Sequence, residues 1–166
     1  MTAPRLALSI VAALLLAVPC FGRLGETFDG CTKRYGKHVR ISNDGGVYVF
    51  ESSGFRIFAE FDDGKVDRIA YKKLLPTKDY VGPPLQISMS EIHELLNRNF
   101  GGGKWETLHP DLYTVVYECP DKKMSAVYST LTGRLIIFTE AAGQNALKAA
   151  EEAAQKQPEA AGLEGL

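Results

Sequence analysis

Three strand-forming stretches between Val47 and Lys72 leave no room for a helix between them, and this narrows the fold more than anything else in the chain. Val47–Glu51, Phe55–Phe61 and Val66–Tyr71 are rich in β-branched and aromatic residues. Asn43-Asp44-Gly45-Gly46 is a turn sequence ahead of them, Ser52-Ser53-Gly54 a turn between the first two, and Asp62-Asp63-Gly64-Lys65 a strong hairpin signal. Parallel neighbours need a crossover of about a dozen residues, so these strands must pair antiparallel. Phe55, Ile57, Ala59 and Phe61 alternate and share one face. Arg56, Phe58 and Glu60 share the other, which is mixed rather than purely polar. Across the hairpin, Ile69 and Tyr71, with Val66 near the turn, form the matching core strip.

A helix precedes these strands. Phe28, Cys31 and Tyr35 fall on one helical face over residues 27–35, and Gly36 supplies a left-handed C-cap. Gly30 weakens this helix by up to about 1 kcal/mol, so it needs a sheet to pack on. After a link at 76–86 containing Pro76, Gly82, Pro83 and Pro84, Ser88-Met89-Ser90-Glu91 forms a capping box. Ile87 and Ile92 occupy the staple positions, and Ile92, Leu95, Leu96 and Phe100 line one face of a helix over 89–99 that Gly101 ends. Strand signals at Tyr113–Glu118, Ser125–Thr130 and Leu135–Thr139 follow, and a short strand fits at 104–107.

The order helix-then-strands therefore repeats with a period of about 65 residues. The expected fold is α+β: two tandem helix-plus-antiparallel-strand modules, 23–75 and 87–139, joined by a linker at 76–86, with both helices covering one side of the sheet. Residues 140–166 form an Ala-rich tail in which Leu147 is the only large apolar side chain before Leu163. Helix propensity without packing gives a marginal helix, so the tail is expected to project from the fold or be disordered after Pro158.

The front of the chain points outside the cytosol. Arg5 precedes an apolar run from Leu6 to Val18, and small residues at Cys20 and Gly22 allow cleavage after Gly22, so residues 1–22 read as an export signal. A membrane span needs about 20 apolar residues, which makes this run short for a retained anchor. Leu16-Ala17-Val18-Pro19-Cys20 looks like a bacterial lipobox except at Pro19, where that pattern has a small residue, so lipid attachment at Cys20 is a further alternative. The expectation is a periplasmic or secreted protein, with no transmembrane span in the mature chain.

Of 19 basic and 20 acidic side chains, removal of residues 1–22 takes only Arg5, leaving a formal charge of −2. That is no footprint for nucleic acid, which requires a basic face. Two cysteines remain, Cys31 and Cys119. They are a candidate disulfide in an oxidising compartment, worth about 3–4 kcal/mol in the chain-entropy model, or two separate buried thiols. Without a C-x-x-C pair there is no thioredoxin-like centre.

No reaction is advertised. His93-Glu94 opens an H-E-x-x sequence, but Asn97 stands where a zinc protease has its second histidine. His38 and His109 sit in expected loops and make no metal cluster by spacing. Gly101-Gly102-Gly103-Lys104 follows a helix instead of leading into one, so it is no phosphate loop. Asp62, Asp63 and Asp121 lack EF-hand spacing, and no G-x-S-x-G elbow occurs. No residue is assigned to catalysis, metal or cofactor binding, and no cofactor is expected.

The aromatic residues carry more. Tyr48, Phe50, Phe58, Tyr113, Tyr117 and Tyr128 lie on strand sequences in both halves, with Lys72, Lys73 and Arg134 near them. Aromatics with arginine are what protein-binding surfaces enrich. The candidate interaction surface is Tyr48, Phe58, Tyr113, Tyr117, Tyr128 and Arg134; core packing is the alternative for each aromatic.

The order of a helix, an Arg34-Tyr35-Gly36 turn and antiparallel strands, answered by Asn99-Phe100-Gly101 and further strands, resembles the tandem-repeat fold of beta-lactamase-inhibitor proteins and of related small outer-membrane assembly lipoproteins. It is also similar to short exported bacterial proteins of unassigned function. The likeness spans about residues 26–139 and implies a binding or scaffolding role through the concave face of the sheet, with another exported or envelope protein as partner. It does not imply beta-lactamase as the target.

Overall fold

In the computed structural model, which describes residues 24–43, 45–100, 103–108 and 111–156, the Thr27 hydroxyl accepts from the Gly30 amide at 3.3 Å and starts α1, Phe28–Tyr35. Gly36 ends it with φ 85°. Gly30 is more than a weak point in this helix. A Cβ there would lie 2.5 Å from Glu26 Cγ, so the glycine gives Glu26 its path to Arg34, whose Nη2 and Nε donate to it at 2.6 and 2.8 Å. The second helix, α2 (Met89–Phe100), begins with the expected capping box: the Ser88 amide donates to Glu91 Oε2 at 2.9 Å, and the Glu91 amide to Ser88 Oγ at 3.3 Å.

Eight strands follow the helices, four after each. They are β1 (Arg40–Ile41), β2 (Val47–Ser52), β3 (Phe55–Asp62), β4 (Lys65–Lys73), β5 (Glu106–Leu108), β6 (Thr114–Cys119), β7 (Met124–Ser129) and β8 (Arg134–Thr139). A short 3-10 turn, Pro120–Lys122, joins β6 to β7. All pair antiparallel in one sheet of order β1-β2-β3-β4-β8-β7-β6-β5. The α+β class and the antiparallel sheet expected from the sequence are thus present. Strand β1 is the addition, two residues long and held only by β2.

One side of the sheet is buried under both helices. Cys31 and Tyr35 of α1, and Ile92, Leu95 and Leu96 of α2, share a core with Phe50, Ile57, Ala59, Ile69, Tyr71, Tyr117, Ala126, Tyr128, Leu135 and Ile137. The register aligns these strand residues in two rungs. Phe50, Ile57, Tyr71, Leu135 and Tyr128 run across the middle, and Ala59, Ile69, Ile137, Ala126 and Tyr117 lie beside them. The link between the halves is pinned at its end. Tyr128 Oη donates to Gln86 Oε1 at 2.8 Å and accepts from the Ile87 amide at 3.0 Å. Gly133, at φ 59°, passes so close that an added Cβ would be 2.4 Å from the Leu85 carbonyl oxygen.

The final helix, α3 (Glu140–Lys156), continues directly from β8. Thr139 Oγ1 accepts from the Ala142 amide at 3.1 Å, and the Ala142 carbonyl accepts from Arg68 Nη2 at 3.2 Å. Ala142 is buried, while side chains from Gln144 to Ala153 are exposed. The first turn is therefore docked and the following turns project. The expected signal segment 1–22, Cys20, His109 and the tail beyond 156 lie outside the described residues.

Candidate functional site

The sheet face away from α1 and α2 carries a graded pattern set by strand register. An apolar rung crosses it: Val49, Phe58, Ala70, Ile136, Val127 and Val116, with Leu108 at the edge. On one side of this rung lie Glu51, Arg56, Lys72, Arg134, Ser129 and Thr114. On the other side are Glu60, Arg68, Phe138, Ser125 and Glu118. The period of two that builds the core on one face builds this stripe on the other.

Two concavities meet on this face. One, of about 720 Å³, is lined by Val39, Arg40, Val49, Arg56, Phe58 and Arg134 among others. The second, of about 580 Å³, lies between the sheet and α3, with Ile136, Phe138, Ala146 and Leu147 on its walls. Glu60 and Arg134 border both. Gly143 sets the approach of α3, because a Cβ there would lie 3.0 Å from the Phe138 ring.

The charges are unevenly matched. Arg56 pairs with Glu51 at 2.6 Å, and Arg68 with Glu60 at 2.8 Å. Arg40, Lys72 and Arg134 make no ion pair among the described residues. The Arg134 guanidinium sits over the Phe58 ring, 5.1 Å from its centroid, and its Nε is buried without a hydrogen-bond partner. Glu140 stands at the far side of the second concavity.

The six residues expected to form an interaction surface divide between the two faces. Phe58 and Arg134 touch on the open face. Tyr117 and Tyr128 are 1% and 4% exposed and belong to the core beneath the helices, where α2 and the end of the link cover them. Tyr48 is also on the helix side, in tilted and edge-on contact with the rings of Phe28, His38 and Phe61. Tyr113 is half exposed just before β6, its amide donating to Asp111 Oδ1 at 2.8 Å. Lys73, expected near these residues, turns to the helix side and donates to Glu91 at 2.6 Å. Arg40, Val49, Ala70, Ile136 and Val127 are among the open-face residues the sequence does not single out. The one local signal for them is alternation with residues already assigned to the core.

Cys31 and Cys119 are free thiols, both buried, so the candidate bridge between them is not formed. Burial first, and then the charge of Glu26, pushes the Cys31 thiol up to about 12, with Arg34 opposing. Burial also raises Cys119. Thiols held protonated are poor nucleophiles. His38 packs on aromatic rings, and His93 and Asn97 are exposed on α2. Among the described residues no three His, Cys, Asp or Glu side chains gather around a possible metal position, and no helix is long and apolar enough to cross a membrane. A smaller cavity of about 210 Å³ opens on the helix side, between the Ser52-Ser53 turn and α2, with Tyr35, Phe55, Tyr71 and Leu95 lining it.

Comparison with family models, with curated proteins and with solved structures finds no match for this chain.

Proposed function

We propose that this chain is an exported, non-catalytic interaction module that binds another exported or envelope protein through the open face of its sheet. The observation that carries the proposal is the apolar rung from Val49 to Val116, which is flanked by charged rungs and lies opposite the helices. A sheet needs only one covered face to be stable; here the face away from α1 and α2 carries the docked first turn of α3 at one side, and beside it Phe58, Ile136, Val127 and Val116 stay half-buried with cations next to them. That is the composition of a protein-binding patch. The two sets of one helix and four strands meet at β4 and β8, which supports reading the halves as copies of one module, in the manner of the tandem-repeat inhibitor proteins and assembly lipoproteins.

The test is site-specific cross-linking in an exported fraction. A photoreactive residue at Val127, on the open face, should capture a specific partner, and one at His93 on α2 should not. Absence of any partner from Val127, together with a turnover abolished by changing one polar residue, overturns the reading. Mass spectrometry of the mature N-terminus tests export. A free Arg23 terminus supports soluble export, a lipidated Cys20 supports an envelope-anchored structural protein, and an intact Met1 refutes both.

The cavity beneath the Ser52-Ser53 turn favours a second reading, a small-ligand binder. Its test is a thermal-shift screen. A ligand that raises the melting temperature of the wild type but not of Phe55→Trp would locate binding there.

A further inference from the structure

We infer that the concavity around Arg134 is an acid-reading site, and that it takes an extended peptide segment of a partner protein carrying a carboxylate between apolar side chains. This deepens the interaction reading above and rests on it. Three observations point to that chemistry.

The first is charge. The chain as a whole has a formal charge of −1, yet this part of the open face gathers Arg40, Arg56, Arg68, Lys72 and Arg134 against Glu51 and Glu60. Each of these two carboxylates is already held by an arginine, and the three remaining cations outnumber the Glu140 carboxylate on the wall of the second concavity, so the site keeps a net positive charge. Register places Lys72 directly opposite both Arg56 and Arg134, and neighbouring like charges of this kind are unfavourable until an anion joins them.

The second is the state of Arg134. Its guanidinium lies over the Phe58 ring, and its buried Nε has no acceptor. A buried donor without a partner costs free energy, and a shift of the side chain toward a ligand carboxylate would recover it. A guanidinium held against an aromatic ring also offers the forked hydrogen bonds that carboxylates accept.

The third is what surrounds the cation. Val39, Val47, Val49 and Phe58 make the neighbouring wall apolar, while Glu51 and Glu60 repel densely charged ligands. This combination selects a single carboxylate with apolar flanks over a polyphosphate or a nucleic acid backbone. The two concavities of about 720 and 580 Å³ adjoin at Arg134 and Glu60, which suits an elongated ligand crossing the strands. A phosphate-bearing lipid surface, by contrast, meets protruding basic and apolar side chains and not a recessed arginine.

The experiment is selection of a displayed random peptide library on the purified full chain, followed by affinities of the selected peptides for the wild type, Arg134→Gln and Arg134→Lys. Selected peptides should carry Asp or Glu beside apolar residues. Arg134→Gln should weaken them by at least about tenfold, the size of one charge-assisted hydrogen bond, and Arg134→Lys should recover only part of that loss. Replacing the acid by its amide in the peptide should cost the wild type as much as Arg134→Gln does, and should cost that variant nothing further. Circular dichroism melts of each variant establish that the fold is intact, and Lys72→Gln, which alters the charge but not the stack, should give a smaller loss.

Peptides that are neutral or basic, or whose binding ignores Arg134→Gln, overturn the acid-reading site while leaving the open-face module standing. A library that yields nothing, with no partner captured at Val127, overturns both. Competition by inorganic phosphate as strong as by the peptide, or binding of phosphatidylglycerol vesicles that Arg134→Gln abolishes, overturns the peptide in favour of a bare anion or a membrane.

Discussion

Asn99 and Tyr71 meet where α2 crosses β4. The Asn99 amide nitrogen donates to the Tyr71 hydroxyl at 3.0 Å and to the Leu95 carbonyl at 2.7 Å. The Tyr35 hydroxyl lies 3.4 Å from that of Tyr71, so a polar thread joins α1, β4 and α2 through an otherwise apolar core. Asn99→Leu removes the α2 end of the thread and leaves the buried Tyr71 hydroxyl with only the long contact to Tyr35. A loss of about 1–3 kcal/mol is expected, read by urea unfolding. Unchanged stability would show that the thread contributes nothing.

Gly133 is predicted to be intolerant of any side chain. Its φ of 59° and the 2.4 Å approach of a Cβ to the Leu85 carbonyl act together, and backbone oxygen cannot swing away. Gly133→Ala should cost about 1–3 kcal/mol. The adjacent exposed Thr132→Ala should cost less than about 0.5 kcal/mol under the same denaturant titration.

The thiols and the buried phenol set an alkaline limit. Cys31 rises from 9.0 to about 12, and Tyr71 from 10.0 to about 12, both chiefly through burial. Each is neutral when protonated and keeps its proton longer in the folded chain. Their contribution is therefore complete below pH 9 and is lost as pH climbs toward about 12. Melting temperature should fall across that window, and Cys31→Ala should make the decline shallower. A slope unchanged by Cys31→Ala would remove the thiol as a cause. Reductant should not shift the melt at neutral pH, and thiol labelling should require denaturant.

Glu91 acts on the acid side. Its hydrogen bond from Lys73, helped by Ser88, holds the carboxyl below its ordinary range against a smaller opposing effect of burial. Its stabilisation is present above the ordinary glutamate value and disappears as pH falls through the lower folded value. Glu91→Gln keeps a side chain able to cap the helix and removes the ion pair. It should cost about 0.5 kcal/mol at neutral pH and nothing in acid, measured by unfolding at both. An equal cost at both pH values would assign the effect to capping alone.

Local signals made α2 legible. Capping box, staple and apolar spacing all lie within about a dozen residues, and each alone would place the helix start. The hairpin of β3 and β4 was legible for the same reason. Strand β1 was not, because two exposed residues hold no pattern and exist as strand only through Val49 and Tyr48 opposite. The division of the tyrosines was hidden differently. Alternation puts Val115, Tyr117 and Cys119 on one face and Thr114, Val116 and Glu118 on the other, so the more apolar set is the covered one, and the tyrosine's polar hydroxyl was the misleading signal. Tyr128 is buried by Gln86 and Ile87, some forty residues earlier. The juxtaposition of Lys72 with Arg134 depends wholly on the pairing of β4 with β8, which no local pattern announces.

That pairing also governs assembly in time. Strand β4 is finished about 60 residues before β8 exists, and until then Arg68–Lys72 presents an unsatisfied hydrogen-bonding edge. A second chain's β8 meets that edge with the same five-residue register as the chain's own. Two chains trading their second halves across the segment after Lys73 would therefore complete identical ladders and identical cores. Concentrated refolding would favour such an exchanged dimer, and dilute refolding would let each strand find its own mate.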